Sequence, residues 1–213
     1  MRNLAVVLSI TACPAYAEPV TVAALGDSLT QGYGLPAADG LVPQLEKWLQ
    51  SQGRDAVVLN AGVSGDTTAG GLSRADWTLT PEVDALILAL GGNDLLRGID
   101  PATSRANLDA ILQKAQARGL PVLMIGLRAS GNFGPEYKAA FDGMYTSLAA
   151  QYGADLIVNF FQPLADAVAA GADTAGVRAD VMQPDGIHPN ATGVAMIVEA
   201  IGPRVLALID RVE

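Results

Sequence analysis

The sequence predicts an open α/β fold, a mainly parallel β-sheet covered by helices, and three observations carry that prediction. Five short apolar runs recur along the chain: Val20 to Leu25, Ala56 to Leu59, Ala85 to Leu90, Pro121 to Gly126 and Asp155 to Phe160. Each run is followed by loop residues and then by a segment with helical spacing. The runs are continuous in Val, Ile and Leu without polar alternation, the pattern of strands buried on both faces.

In chain order, the first strand runs into the polar segment Gly26 to Thr30, and the first long helix is expected over 41–52. The second strand leads through Ala61 to Thr67 into a helix over 67–77, and the third through Gly91 to Asp94 towards a helix over 102–118. Gly119-Leu120-Pro121 ends that helix and starts the fourth strand, because Gly is favoured just past a helix C-terminus and Pro does not continue one. Helices over 136–151 and 163–170 flank the fifth strand. In the last helix, 190–210, Val194, Ile197, Val198, Ile201, Val205, Leu208 and Ile209 form an apolar face, with a bend expected at Gly202-Pro203. Open α/β sheets bind ligands beyond the carboxyl ends of their strands, so the three polar segments should converge on one edge.

With 213 residues, half of them apolar and 16% charged, the chain can bury a sizeable core as one domain. Its first seventeen residues read differently. Arg2 supplies a short positive region, Leu4 to Cys13 an apolar run, and Ala15-Tyr16-Ala17 a small-x-small cleavage site. The expected organisation is a signal peptide over 1–17, cleaved after Ala17, and one domain over 18–213, placing the protein in the periplasm or outside the cell. The apolar run is short of the ~20 residues that span a bilayer, so stable membrane insertion is not expected. A lipobox at Ile10-Thr11-Ala12-Cys13, with Cys13 lipidated, is the alternative, disfavoured by Pro14. Cys13 is the only cysteine, so cleavage leaves neither a disulfide nor a thiol nucleophile. The net charge of −9 repels phosphate backbones, and nucleic acid is not an expected partner.

Gly26-Asp27-Ser28-Leu29-Thr30 places a serine at the tip of a strand-to-helix turn. A serine hydroxyl is a poor nucleophile until a base takes its proton, and Ser28 read alone is equally an N-cap. The chain has one histidine, His188, so any Ser–His mechanism must use it. Asp185 stands three residues upstream, with Gly186 free to turn, so its carboxylate can accept from Nδ1–H and leave Nε2 facing the nucleophile. Pro189 biases His188 away from helical angles. Acyl transfer also needs donors where charge develops on the substrate oxygen. Gly65 offers a backbone N–H and Asn93 a side-chain amide, although each is also an ordinary turn residue. Asp27, Asp66 and Asp94 read as loop-bonding and helix-capping residues.

Together these segments resemble the blocks of the SGNH/GDSL hydrolase family: Gly-Asp-Ser-Leu with the serine, a glycine in the second block, Gly-x-Asn-Asp in the third, and Asp-x-x-His near the C-terminus. All four occur in order, and the similarity spans about residues 20–210. The resemblance implies a three-layer α/β/α flavodoxin-like fold with a five-stranded parallel sheet in the order 2-1-3-4-5. It implies Ser28, Asp185 and His188 as a catalytic triad, with Ser28 N–H, Gly65 N–H and the Asn93 amide as the oxyanion hole. Asn60-Ala61-Gly62-Val63-Ser64-Gly65-Asp66-Thr67-Thr68, the ending Asp185 to Asn190 and the segment Gly131 to Tyr137 are similar to the bacterial periplasmic arylesterase, acyl-CoA thioesterase and lysophospholipase branch. In that branch the loop equivalent to Leu127–Tyr137 borders the acyl pocket, which makes Asn132, Phe133, Tyr137 and, beside the histidine, Ile187 the substrate-binding candidates. Phe133 and Tyr137 read equally as residues that pack the loop down.

The expected activity is a secreted serine esterase acting on small ester or thioester substrates, including lipid-derived ones, as a monomer. A carbohydrate O-acetylesterase and a non-catalytic periplasmic binding module are the rival readings. No metal or other cofactor is expected, because one histidine and no mature cysteine cannot assemble the usual zinc ligand sets. No Gly-x-Ser-x-Gly elbow, P-loop or Gly-x-Gly-x-x-Gly run follows the first strand.

Overall fold

Strand β1 (Val20–Gly26) is an interior strand of a computed structural model that describes residues 18–171 and 174–212. It pairs in parallel with β2 (Ala56–Gly62) on one side and β3 (Ala85–Ala89) on the other, and β4 (Val122–Ile125) and β5 (Asp155–Ile157) continue the sheet. The order β2-β1-β3-β4-β5 is the one the resemblance implied. Between and after the strands lie α1 (Ser28–Gln31), α2 (Leu41–Ser51), α3 (Thr68–Ser73), α4 (Ala75–Thr78), α5 (Gly92–Leu96), α6 (Pro101–Ala117), α7 (Pro135–Tyr152), α8 (Gln162–Ala170), α9 (Thr174–Val181) and α10 (Ala191–Ile209). The expected leader over 1–17, with its cleavage site at Ala17 and its Cys13, lies outside the described residues.

Helices α2 and α10 pack together on one side, while α6 and α7 pack together with α3 and α4 on the other. Val22, Ala23, Leu25, Leu86 and Leu123 of the central strands are fully enclosed between them. Edge strand β2 departs from the expected two-sided burial. Val57 and Leu59 are exposed, whereas Ala56 and Val58 are buried. The fifth strand is shorter than expected: it stops at Ile157, and the Phe160 N–H bonds to the Gly126 carbonyl.

Among the described helices only α10 is long and apolar enough to cross a membrane by composition. Its seven predicted face residues are buried in the core, which accounts for that apolarity. Helical structure continues through Pro203, and the indole of Trp48 on α2 lies against Gly202 so closely that a Cβ there would fall 2.7 Å from the ring. The expected helix over 67–77 is two short helices, α3 and α4, meeting at Arg74. Helices α1, α5 and α9 were not anticipated; none exceeds eight residues, too short for periodicity to reveal.

Candidate active site

The polar segments after β1, β2 and β3 do converge. Ser28, Gly65 and Asn93 line one cavity of about 340 Å3 together with His188. Ser28 opens α1, and the cap is the residue before it: Asp27, 2% exposed, accepts from the Leu29 N–H at 3.0 Å. With that capping role taken, the serine hydroxyl is left to the cavity. Burial pushes the Asp27 carboxyl up to about 6, against the lowering effect of the Leu29 N–H and of nearby His188.

His188 Nε2 lies 2.8 Å from Ser28 Oγ, and Nδ1 lies 2.6 Å from Asp185 Oδ2. The network assigns the proton to Nδ1, which donates to Asp185 and leaves Nε2 to accept from the serine. The other Asp185 oxygen accepts from the N–H groups of Ile187 at 2.9 Å and His188 at 3.0 Å, a closed turn that needs Gly186 at φ +66°. The bond from the His188 ring, aided by these two amides, holds the Asp185 carboxyl down at about 2. It is therefore ionised across the pH range in which an imidazole titrates.

This loop is clamped from outside the motif. Gln183 N–H donates to the His188 carbonyl at 2.8 Å, and its side-chain amide donates to the Pro189 carbonyl at 3.0 Å and the Tyr33 carbonyl at 2.8 Å. The Tyr33 ring lies 4.7 Å from the imidazole, centroid to centroid. On the next side, Asn190 caps α10 by accepting from the Gly193 N–H.

The side of the cavity lined by Gly65 and Asn93 is built by the loop after β2 and by the start of α5, which brace each other. Gly65 sits in the left-handed region at φ +84°, where a side chain is strained, and its carbonyl accepts from Arg97 at 2.8 Å. Asn93, on α5, donates one amide hydrogen to the Asp66 carbonyl at 2.9 Å; the amide carries a second. Asp66 pairs with Arg74, and Thr67, not Asp66, caps α3. Asp94 is buried and accepts from Thr68 N–H at 2.8 Å, Thr68 Oγ1 at 2.6 Å and Ser104 Oγ at 2.8 Å. These contacts fit the capping and loop-bonding roles read for the three aspartates.

Of the substrate-binding candidates, Ile187 borders the cavity and Asn132, Phe133 and Tyr137 do not. Tyr137 turns away because its hydroxyl donates to the Ile99 carbonyl at 3.0 Å and its ring stacks on Phe141. Phe133 lies over Gly98 and against Tyr137. Only the start of that loop, Leu127 and Arg128, reaches the cavity, whose remaining apolar wall is Leu29, Leu95, Leu96 and Phe161. Asp142 and Lys138 of α7 bond the backbone of Ala129 and hold the loop in this position. Phe161, Tyr33 and Gln183 carried no motif in the sequence; their positions follow from tertiary contacts. Among the described residues, no three His, Cys, Asp or Glu side chains come together to hold a metal ion.

Comparison with known proteins identifies the family. Esterase TesA of Pseudomonas aeruginosa is 38% identical over 190 residues, 89% of each chain. Thioesterase 1/protease 1/lysophospholipase L1 of Escherichia coli is 32% identical over 192 residues, covering 89% of this chain and 85% of its own. The crystal structure of AlinE4, an SGNH-hydrolase family esterase, is 42% identical, with a TM-score of 0.72 over 91% of this chain and 98% of its own. The model of the GDSL-like Lipase/Acylhydrolase family matches residues 24–196, a span that holds Ser28, Gly65, Asn93, Asp185 and His188. By sequence, sheet order and the similarity of its relatives, the chain belongs to this family, the SGNH hydrolases.

Proposed function

We propose that the chain is a secreted serine esterase that cleaves small carboxylic esters and thioesters through an acyl-enzyme. The observation that carries this reading is the 2.8 Å contact between Ser28 Oγ and the only imidazole, whose far side is held by Asp185 at 2.6 Å. His188 takes the serine proton as Oγ attacks the carbonyl carbon, and Asp185 stabilises the imidazolium. The oxyanion is met by Ser28 N–H, Gly65 N–H and the free hydrogen of the Asn93 amide. The proton then passes to the departing alcohol or thiol, and water, activated by the same imidazole, releases the acid.

The leucines and Phe161 around the cavity favour an apolar acyl group over a sugar acetate. The relatives named esterase, thioesterase and lysophospholipase support the same range of leaving groups. The domain is proposed to be residues 18–213, exported by a leader cleaved after Ala17; sequencing the N-terminus of exported protein should begin at Glu18.

A rate profile over p-nitrophenyl esters from acetyl to palmitoyl, run beside an acyl-CoA and a lysophospholipid, tests the activity. Turnover that disappears in Ser28→Ala is expected. No turnover of any of these compounds, or turnover that survives the substitution, would refute the reading.

A further inference from the structure

The esterase reading, on which this inference rests, leaves an apolar groove beside the cavity unused. Beside the cavity at Ser28 runs a groove of about 490 Å3, walled by Leu164 and Val168 of α8 and by Val181 and Met182, with the Arg178 guanidinium at its edge near Gly186. The two spaces meet along Leu96, Phe161 and Ile187, which border both. Their other walls differ. Gly65, Asn93, Leu95 and Leu127 border the cavity and not the groove, whereas Gly186, on the loop that carries His188, borders the groove and not the cavity.

Reaction stereochemistry assigns the two spaces to the two halves of an ester. When the tetrahedral intermediate collapses, the bond between the carbonyl carbon and the alcohol oxygen breaks. That oxygen takes up the proton His188 Nε2 received from Ser28 Oγ, so atoms and charge balance. The leaving oxygen must therefore face the imidazole, while the former carbonyl oxygen faces Gly65 and Asn93. A chain attached to the leaving oxygen continues past Ile187 and Gly186, and a chain attached to the carbonyl carbon lies towards Leu95 and Leu127.

We infer that the groove between α8 and α9 receives the alcohol portion of the substrate, and that the preferred esters carry an apolar alcohol of several carbons. Leu164 and Val181 are each 4% exposed, so the floor of this groove is part of the core. Burying alkyl carbons against it should raise kcat/KM as the alcohol lengthens.

Two ester series read the halves separately: acetates of alcohols from ethyl to octyl, and ethyl esters of acids from acetic to octanoic. Across the alcohol series kcat/KM is expected to rise about tenfold or more. Ala165, also on the groove and exposed, can take bulk without disturbing the core. Ala165→Trp should flatten the alcohol series while keeping the wild-type slope of the acyl series, and Val168→Asp should do the same by making the wall polar. A flat alcohol series in the wild type, or variants that flatten the acyl series instead, would overturn the assignment. Absence of turnover for every ester in both series would overturn the esterase reading itself.

Discussion

The Arg74 guanidinium donates from Nε to the Asp66 carboxylate at 2.7 Å. Its other nitrogens reach the Ala61 carbonyl at 2.7 Å and the Gly26 carbonyl at 2.8 Å. One cation thus ties the carboxyl ends of β1 and β2 to the loop that holds Gly65. Arg74→Ala should lower stability by about 2–4 kcal/mol, since charge-assisted bonds are lost and partly buried acceptors are left unpaired. Turnover should fall as well, because the Gly65 loop loses its brace. Chemical denaturation and kcat on one ester measure both, and unchanged turnover would mean the loop holds itself.

Ser28→Ala should leave the fold intact and reduce turnover at least a thousandfold. A fluorophosphonate probe should label the wild type at position 28 and leave the variant unlabelled.

Asn93→Ala removes one proposed oxyanion donor and the bond to the Asp66 carbonyl. A loss of about 10²–10³ in kcat is expected with little change in KM. The stability loss should be only about 1 kcal/mol. A variant that unfolds while the residual folded fraction keeps full activity would make Asn93 structural.

Asp27 should make the protein less stable as pH rises. Its folded pKa of about 6 lies above the unfolded 3.8, so the native state binds the proton more tightly. Stability from that proton is present below the unfolded value and disappears as pH climbs through 6. Asp27→Asn keeps the cap acceptor and removes the buried charge. Relative to wild type it should gain about 2–3 kcal/mol between pH 4 and pH 8. Urea denaturation at the two pH values reads this difference, and a constant offset would refute it. Asp185 has the opposite sign: with its folded pKa lowered from 3.8 to about 2, its contribution is fully present above the unfolded value and is lost as pH falls from there through about 2.

Gln183→Ala breaks the side-chain bonds to Tyr33 and Pro189 and should loosen His188 relative to Ser28. Turnover is expected to fall about tenfold with KM nearly unchanged, since positioning errors of an ångström reduce rate more than binding. Gln183→Glu, which cannot donate to these carbonyls when ionised, should not restore it.

Much of the candidate site was legible because its residues sit in short motifs. Ser28, Gly65 and Asn93 each follow a strand, and the parallel-sheet rule brings such loops to one edge. Asp185 and His188 are three residues apart, so their bond is a local turn that Gly186 permits. Phe133 and Tyr137 show the limit. The sequence left a cavity-wall role and a loop-packing role equally open, and the contacts that favour packing, from Tyr137 to Ile99, 38 residues away, and from Phe133 to Tyr137, are tertiary.

The sequence by itself determined which residues could do chemistry and which runs form the sheet, because apolar periodicity, turn residues and a single histidine are local properties of the chain. Only the tertiary structure decided that Ser28 and His188, 160 residues apart, meet at 2.8 Å, that Gln183 and Arg74 hold the loops around them, and that Phe161 walls the cavity. These relationships depend on how helices pack on two faces of a sheet, which is set by the sum of many weak contacts and is written in no single segment.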